Sequence, residues 1–254
     1  MGWDIATVSE ETLIDLCHKA EKEIGITRGL TEGDQFIQLS EHIAVKYGYS
    51  VTAAEAATQE LAYNKADPTI VHIPQVYRFI EAKGSSARTK GYLFMEYMPG
   101  QNLANVDIEA HKDIIPRIAK IVAHLGEIQA GRQSAPGPVG GGEPYGYLWG
   151  DDGAKTVFNS VSDLNTYMNK RLKLRNDSID LTPHPLVLCH LDLCRRNFIL
   201  KDDGVFLCLA NWGSAGFYPR FFESAMVSCM LPYDGLYEQP LLQEIEKVQR
   251  GNLV

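Results

Sequence analysis

Cationic charge is scarce in this sequence. Its 24 Lys and Arg face 32 Asp and Glu, a net charge of -8. A surface of that sign attracts neither a phosphodiester backbone nor anionic lipid, which argues against nucleic acid or membrane as the main partner. Cysteine is scarce too. Cys17, Cys189, Cys194, Cys208 and Cys229 are odd in number and hold no C-x-x-C pair. That composition fits a reduced compartment better than a disulfide framework or a zinc site. No apolar run approaches the ~20 residues of a membrane span. The first residues lack the basic-then-apolar order of a secretory leader, since Asp4, Glu10 and Glu11 come early. Met1-Gly2 opens like a myristoylation signal, but Ala6 stands where that motif wants Ser or Thr. A cytoplasmic address is expected. Phosphate-loop patterns are missing as well: GLTEG (Gly29 to Gly33) lacks the G-x-G-x-x-G spacing, and no G-x-x-x-x-G-K-[ST] occurs.

What is present is a chain of 254 residues, 45% hydrophobic, long enough for one large domain or two lobes. Leu13, Ile14, Cys17, Ala20 and Ile24 share one face of a predicted helix over Glu10 to Ile24, with Ser9 as N-cap and Gly25 as stop. Phe36 to Leu39 and Ile43 to Tyr47 read as a hairpin joined near Ser40-Glu41. Thr52-x-x-Glu55 is a capping box that opens a helix to about Tyr63. Taken singly, Lys46 is a solvated strand-end lysine and Glu55 a cap. They form a pair only if the first turn of that helix faces the strand, and Glu60 is the rival partner. Gln75 to Glu81 and Tyr92 to Tyr97 are two further strands around the polar turn KGSSARTKG.

Met98-Pro99-Gly100 then interrupts all regular structure. The expected division is residues 1–97, a small antiparallel β-rich lobe with an N-terminal helix, and 98–254, a mainly helical lobe. The fold class is α+β. His111 to Ala130 carries the clearest apolar stripe, Ile114 through Ile128, and Pro116 falls in its first turns. Gln133 to Asp152 is rich in Gly and Pro and reads as a flexible surface loop. Tyr145, Tyr147 and Trp149 make it aromatic enough to face a substrate. Phe158 to Leu174, Phe221 to Met230 and Leu241 to Val248 complete the predicted helices.

The chemical centre is Leu188 to Pro219. His190, Asp192 and Asn197 form a His-x-Asp-x-x-x-x-Asn signature, followed by a hairpin that turns at Asp203-Gly204. Asn197 and Asn211 are equidistant from Gly204, so an antiparallel hairpin brings two amides together at its open end; a bulge would shift the pairing by one residue. That end can offer a magnesium ion two oxygens. Asp192 lies where a carboxylate can accept the proton of an attacking hydroxyl, and His190 braces the loop.

IAVKYG, TAAEA, HIPQVYRF, GYLFMEYMPGQNL, CHLDLCRRNFIL and WGSAGFYP follow one another from Ile43 to Pro219. In that order they resemble the aminoglycoside phosphotransferase-like family, in the form common as fungal kinase-like proteins. The resemblance implies a two-lobed protein-kinase-like fold with ATP between the lobes. It implies that Lys46 contacts the nucleotide phosphates and Glu55 pairs with it, and that Glu96, Tyr97 and Met98 are the adenine-binding hinge. Asp192 becomes the catalytic base, Asn197 a magnesium ligand, and Asn211 stands in the place of the family's metal-binding Asp. Cys194 replaces the usual second His of the loop, and the stretch after Pro219 is short, so part of the substrate-side helical wall is expected to be missing. Asn offers magnesium one neutral oxygen where Asp offers a charge, and loss of such a term costs on the order of 10²-fold in rate. The expected function is ATP-dependent phosphoryl transfer to a small-molecule hydroxyl. The alternative is a catalytically silent kinase-like nucleotide-binding or regulatory protein. A protein-hydroxyl kinase is a weaker reading, because no Ala-Pro-Glu segment end occurs.

Overall fold

The fold is given by a computed structural model that describes residues 5–25, 28–29, 33–83, 88–131, 134–150, 152–202, 204–231 and 233–251. The myristoylation-like start, the middle of the Gly29 to Gly33 stretch and residues 84–87 of the polar turn lie outside the described residues.

Helix α1 covers Glu10–Ile24, the span its apolar spacing predicts. The Ser9 hydroxyl accepts the Thr12 N–H at 3.3 Å, and Gly25 ends the helix at a φ of 81°. Strands β1 (Arg28–Gly29), β2 (Gln35–Gln38) and β3 (Ile43–Gly48) follow, then α2 (Ala53–Lys65), β4 (Val76–Lys83) and β5 (Thr89–Glu96). The strands make one antiparallel sheet in the order β1-β2-β3-β5-β4. Alternation along β3 sorts its side chains between the two faces. Val45 and Tyr47 pack with Leu13 and Cys17 of α1, and Ala44 packs with Ala56 of α2. Lys46, two residues after Ala44, therefore points toward α2.

Past the sheet come β6 (Gln101–Asn102), α3 (Ile114–Leu125), α4 (Val161–Leu172), β7 (Leu186–Cys189), β8 (Phe198–Leu200), β9 (Leu207–Leu209), β10 (Gly216–Pro219), α5 (Phe221–Met230) and α6 (Gly235–Gly251). β6, β8 and β9 form a small sheet, and β7 pairs with β10. The main core gathers Ile118 and Leu125 of α3, Leu209, Trp212 and Leu241. The result is an α+β fold of two lobes, an antiparallel sheet first and mainly helices after. Among the described residues no helix is long and apolar enough to cross a membrane.

Three expectations change. Helix α3 stops at Leu125, well short of Ala130. The next residues leave the helix to pair with β7: Ala130 N–H donates to Leu186 O, and Leu188 N–H to Ile128 O, both at 2.9 Å. The aromatic loop is not all surface. Trp149 is buried, its ring 5.5 Å from Tyr218 and 5.7 Å from Phe158, whereas Tyr145 and Tyr147 stay exposed. A Trp of that size is worth far more in a core than in a loop. Helix α6 starts six residues before Leu241 and absorbs Pro240 in its second turn.

Candidate active site

The Thr52 hydroxyl accepts the Glu55 N–H at 3.1 Å and so starts α2 directly beneath β3. This geometry turns Glu55 toward the strand. Its Oε1 lies 2.7 Å from Lys46 Nζ, and its side chain is only 1% exposed. Glu60, the rival, is exposed. The ammonium has two more neighbours: Asn211 Oδ1, which accepts from it at 2.9 Å, and Asp34 Oδ2 at 3.8 Å. Gly213 leaves room for the Glu55 carboxylate, since a Cβ there would sit 3.3 Å from Oε2.

The loop after β7 is built around His190, which is fully buried. Its Nδ1 accepts the Asp192 N–H at 3.3 Å. The other ring nitrogen, Nε2, must then carry the proton it donates to Ala210 O at 3.1 Å. The ring is neutral, because burial pushes its pKa down to about 4. Leu191 sits in the left-handed region at a φ of 57°, a conformation costly for a branched side chain. Glu223 of α5 holds that bend: its carboxylate accepts the His190 N–H at 2.6 Å and the Leu191 N–H at 2.9 Å. Burial raises the Glu223 pKa to about 7 against those two hydrogen bonds. Nothing in the spacing marks Glu223 for a role; its only signal is to be the one charged residue of a mainly apolar helix.

Asp192 has its main-chain oxygen bound by Asn197 Nδ2 at 2.7 Å. Its carboxylate accepts from the Cys194 thiol at 2.8 Å and from Arg196, whose Nη2 lies 3.2 Å from both oxygens. Cys194, in place of the His that the resemblance implies, is thus a donor to the candidate base. Burial and the Asp192 charge drive its pKa far up, so it stays a thiol. Arg196 was also missed. Only its position four residues after Asp192 hints at the contact.

The hairpin register is one residue off the equidistant pairing. Phe198 opposes Leu209, and Asn197 opposes Ala210, whose N–H donates to Asn197 O at 2.9 Å. Asn211 still reaches Asn197, because its backbone turns through the left-handed region at a φ of 67°, which Asn tolerates better than most residues. Its Nδ2 donates to Asn197 Oδ1 at 3.1 Å. Both amide orientations are fixed by unambiguous partners. Lys46 can only donate, so Asn211 turns its oxygen to it; Asp192 O can only accept, so Asn197 turns its nitrogen there. The pair expected to present two oxygens to magnesium instead presents an N–H to an oxygen. As arranged these donors do not fit a magnesium ion.

Between sheet and loop lies a cleft of about 580 Å³, lined by Lys46, Met98, Arg196, Asn197 and Asn211 among others, within the usual range for a small-molecule site. At its rear edge Glu96 accepts from His72 Nε2 at 2.8 Å and from Gln75 N–H at 3.2 Å. Burial works to raise the Glu96 carboxyl, but these hydrogen bonds outweigh it and hold it below its ordinary range. Tyr97 N–H donates to His42 O at 2.9 Å, while among the described residues Met98 N–H meets no backbone acceptor. The Met98 side chain is buried against Ile199 and Cys208.

No curated protein matches the chain in sequence. Solved structures do match it in shape. A thermostable mutant of aminoglycoside phosphotransferase APH(4)-Ia in its apo form has a TM-score of 0.57 at 15% identity, covering 87% of this chain and 79% of that one. A ternary complex of a thermostable APH(4)-Ia mutant with AMP-PNP and hygromycin B has a TM-score of 0.57 at 15% identity, covering 96% and 83%. The GDP complex of an aminoglycoside 2'-phosphotransferase-IIIa mutant scores 0.50 at 13% identity, covering 93% and 82%. At such identities the likeness speaks for the fold, which is that of the kinase-like aminoglycoside phosphotransferases. The family model described as the phosphotransferase enzyme family matches residues 47–246, most of the sequence, and the chain belongs to that family.

Proposed function

We propose that the protein moves a phosphoryl group from ATP to a hydroxyl of a small molecule. One observation carries the reading. A continuous chain of hydrogen bonds runs from Glu55 through Lys46, Asn211 and Asn197 to the backbone of Asp192, and its three middle residues line the cleft. It ties a phosphate-seeking cation to a candidate base. The solved relatives support a nucleotide and a small acceptor, since one holds AMP-PNP with hygromycin B and another GDP.

In this reading adenine lies against Met98, whose N–H, with no backbone acceptor among the described residues, is one donor, and Glu96 and Tyr97 shape the hinge between lobes 1–97 and 98–254. Lys46, aimed by Glu55, meets the phosphates. The acceptor oxygen forms a bond to the terminal phosphorus, the bond to the leaving nucleoside diphosphate breaks, and the hydroxyl proton passes to Asp192. Asp192 must first shed Arg196, which its exposure permits. His190, neutral and bonded on both nitrogens, holds the loop without meeting substrate. Magnesium, expected at Asn197 and Asn211, is the part the donor set does not support, and no step is assigned to it. The odd number of cysteines and the lack of a C-x-x-C pair suit a cytoplasmic setting.

The test is to incubate the protein with ATP and a set of hydroxyl compounds, hygromycin B among them. Acceptor mass and ADP release are followed with magnesium, with manganese and with neither. A phosphorylated acceptor is expected; no phosphorylated product and no ADP under any condition would sink the reading. The Asn211–Asn197 bond specifically favours the second reading, a nucleotide-binding protein without turnover. That reading is met if ATP binds and no acceptor is ever modified.

A further inference from the structure

We infer that the triphosphate of the nucleotide is held in this cleft without a bridging divalent cation, between Lys46 and Arg196, with Arg196 exchanging the Asp192 carboxylate for phosphate oxygens. The inference rests on the proposed nucleotide reading of the cleft and adds a residue and a metal requirement to it.

The first observation is the bond between the two amides. A cation shared by Asn197 and Asn211 needs both side-chain oxygens turned to one point. Here the Asn211 Nδ2 hydrogen points at Asn197 Oδ1, 3.1 Å away, and the Asn211 oxygen is held by Lys46. An Asp at 211 has no hydrogen to give and could not close the site in this way. The amide closes it by the only orientation its neighbours allow.

The second observation is the contrast between adjacent arginines. Arg195 is consumed by the fold: its Nε donates to Asp234 at 2.7 Å, and its Nη1 to the carbonyls of Leu103 and Val106. Arg196 is not. Its side chain is 61% exposed, and among the described residues its side-chain hydrogen bonds all run from Nη2 to Asp192. The guanidinium lies mostly in water although the Asp192 side chain is 14% exposed, so Arg196 can swing from this acceptor to another. Among the described residues, Arg196 and Lys46 are the cationic ones that line the cleft. The carboxylates facing Lys46, those of Asp34 and Glu55, leave little of its charge for a tetra-anionic ligand. A guanidinium fork suits phosphate oxygens and can supply the missing charge. The same exchange frees Asp192 Oδ2 toward an acceptor, while Oδ1 still accepts from the Cys194 thiol.

The experiment is calorimetry of ATP and of adenosine, with EDTA and with magnesium. Four proteins are compared: wild type, Arg196→Ala, Arg196→Lys and Asn211→Asp. Wild type is expected to bind ATP with affinities that agree within about three-fold between EDTA and magnesium. Arg196→Ala should weaken ATP about ten-fold or more, leave adenosine unchanged, and be partly rescued by Arg196→Lys. Asn211→Asp should make ATP binding magnesium-dependent. Wild-type binding that needs magnesium by about ten-fold or more overturns the inference and leaves the nucleotide reading intact. So does an Arg196→Ala protein that binds ATP as wild type does. If neither ATP nor adenosine binds in either buffer, the nucleotide reading falls and takes this inference with it.

Discussion

Asp192 sits at the junction of two demands, since its carboxylate is both the candidate base and the resting partner of Arg196. Asp192→Asn keeps the shape and removes the charge. Turnover is expected to fall by roughly 10²–10⁴-fold, while ATP binds at least as tightly as before because Arg196 is released. Rates from single-turnover assays and affinities from titration check this, and parallel loss of both would refute the assignment. A second residue-level consequence concerns pH. Folding lowers the His190 pKa from 6.5 to about 4, so its contribution to stability is full above pH 6.5 and is lost as pH falls toward 4. Folding raises Glu223 from 4.5 to about 7, so its contribution is full below pH 4.5 and is lost as pH rises through 7. Between pH 4.5 and 6.5 the two oppose each other. Glu223→Gln should cost about 1–3 kcal/mol, because its NH2 replaces one of the two accepting oxygens and faces an N–H from which it cannot accept. It should also leave a stability that climbs with pH more steeply than in wild type. Urea melts across that window would disprove it by giving equal slopes. Spacing alone placed Asp192, Asn197 and Asn211 within reach of one another, since local chain geometry determines much of that, whereas Lys46 joined them only through the family resemblance. Arg196 and Glu223 were illegible, because their roles come from which loop oxygen or N–H the folded chain happens to bring near.

Elements whose faces see a single environment were readable to the residue. Helix α1 has one apolar stripe, one cap and one stop, and nothing competes with them. Helix α3 has an equally clear stripe, but its last three expected residues, Ile128 to Ala130, are claimed by β7, a partner far along the sequence. The β8–β9 hairpin was legible as a hairpin and misread in register by one residue, because turn geometry and not symmetry sets the pairing. Helix α2 shows how a local signal becomes functional. Its cap fixes the first turn, and the first turn carries Glu55. Thr52→Ala is expected to cost about 1 kcal/mol in denaturation, and to weaken ATP binding by loosening the Lys46–Glu55 pair. Thr52→Ser keeps the acceptor and should behave as wild type. Equal stability of the Ala and Ser proteins would show that the cap does nothing.

At the scale of the molecule, the division of the chain and the division of the packing differ. Val71 and Ile73 precede β4 and β5, yet both lie in the core built around α3, with Ile118 and Trp212. His72 between them pairs like a strand residue with β9: its N–H donates to Leu207 O at 3.0 Å, and its carbonyl accepts from Leu209 N–H at 2.9 Å. The glycine-rich loop reaches back the other way, with Val139 N–H donating to the Thr58 hydroxyl of α2 at 2.9 Å. The glycine run was therefore only half legible. Its backbone freedom shows in sequence, but its docking on α2 depends on the small Ala54 and Ala57 beside it. Helix α2 and the connector after it are clasped by the helical lobe, so the sheet cannot melt away while that lobe keeps its core. The expected result is a single calorimetric unfolding transition whose van't Hoff and calorimetric enthalpies agree. Ile73→Ala, at 3% exposure, should lower stability by about 2–5 kcal/mol and move that one transition without splitting it. Two resolved transitions in wild type, or a variant that shifts only one of two, would mean that the lobes fold independently and that the shared core does not couple them.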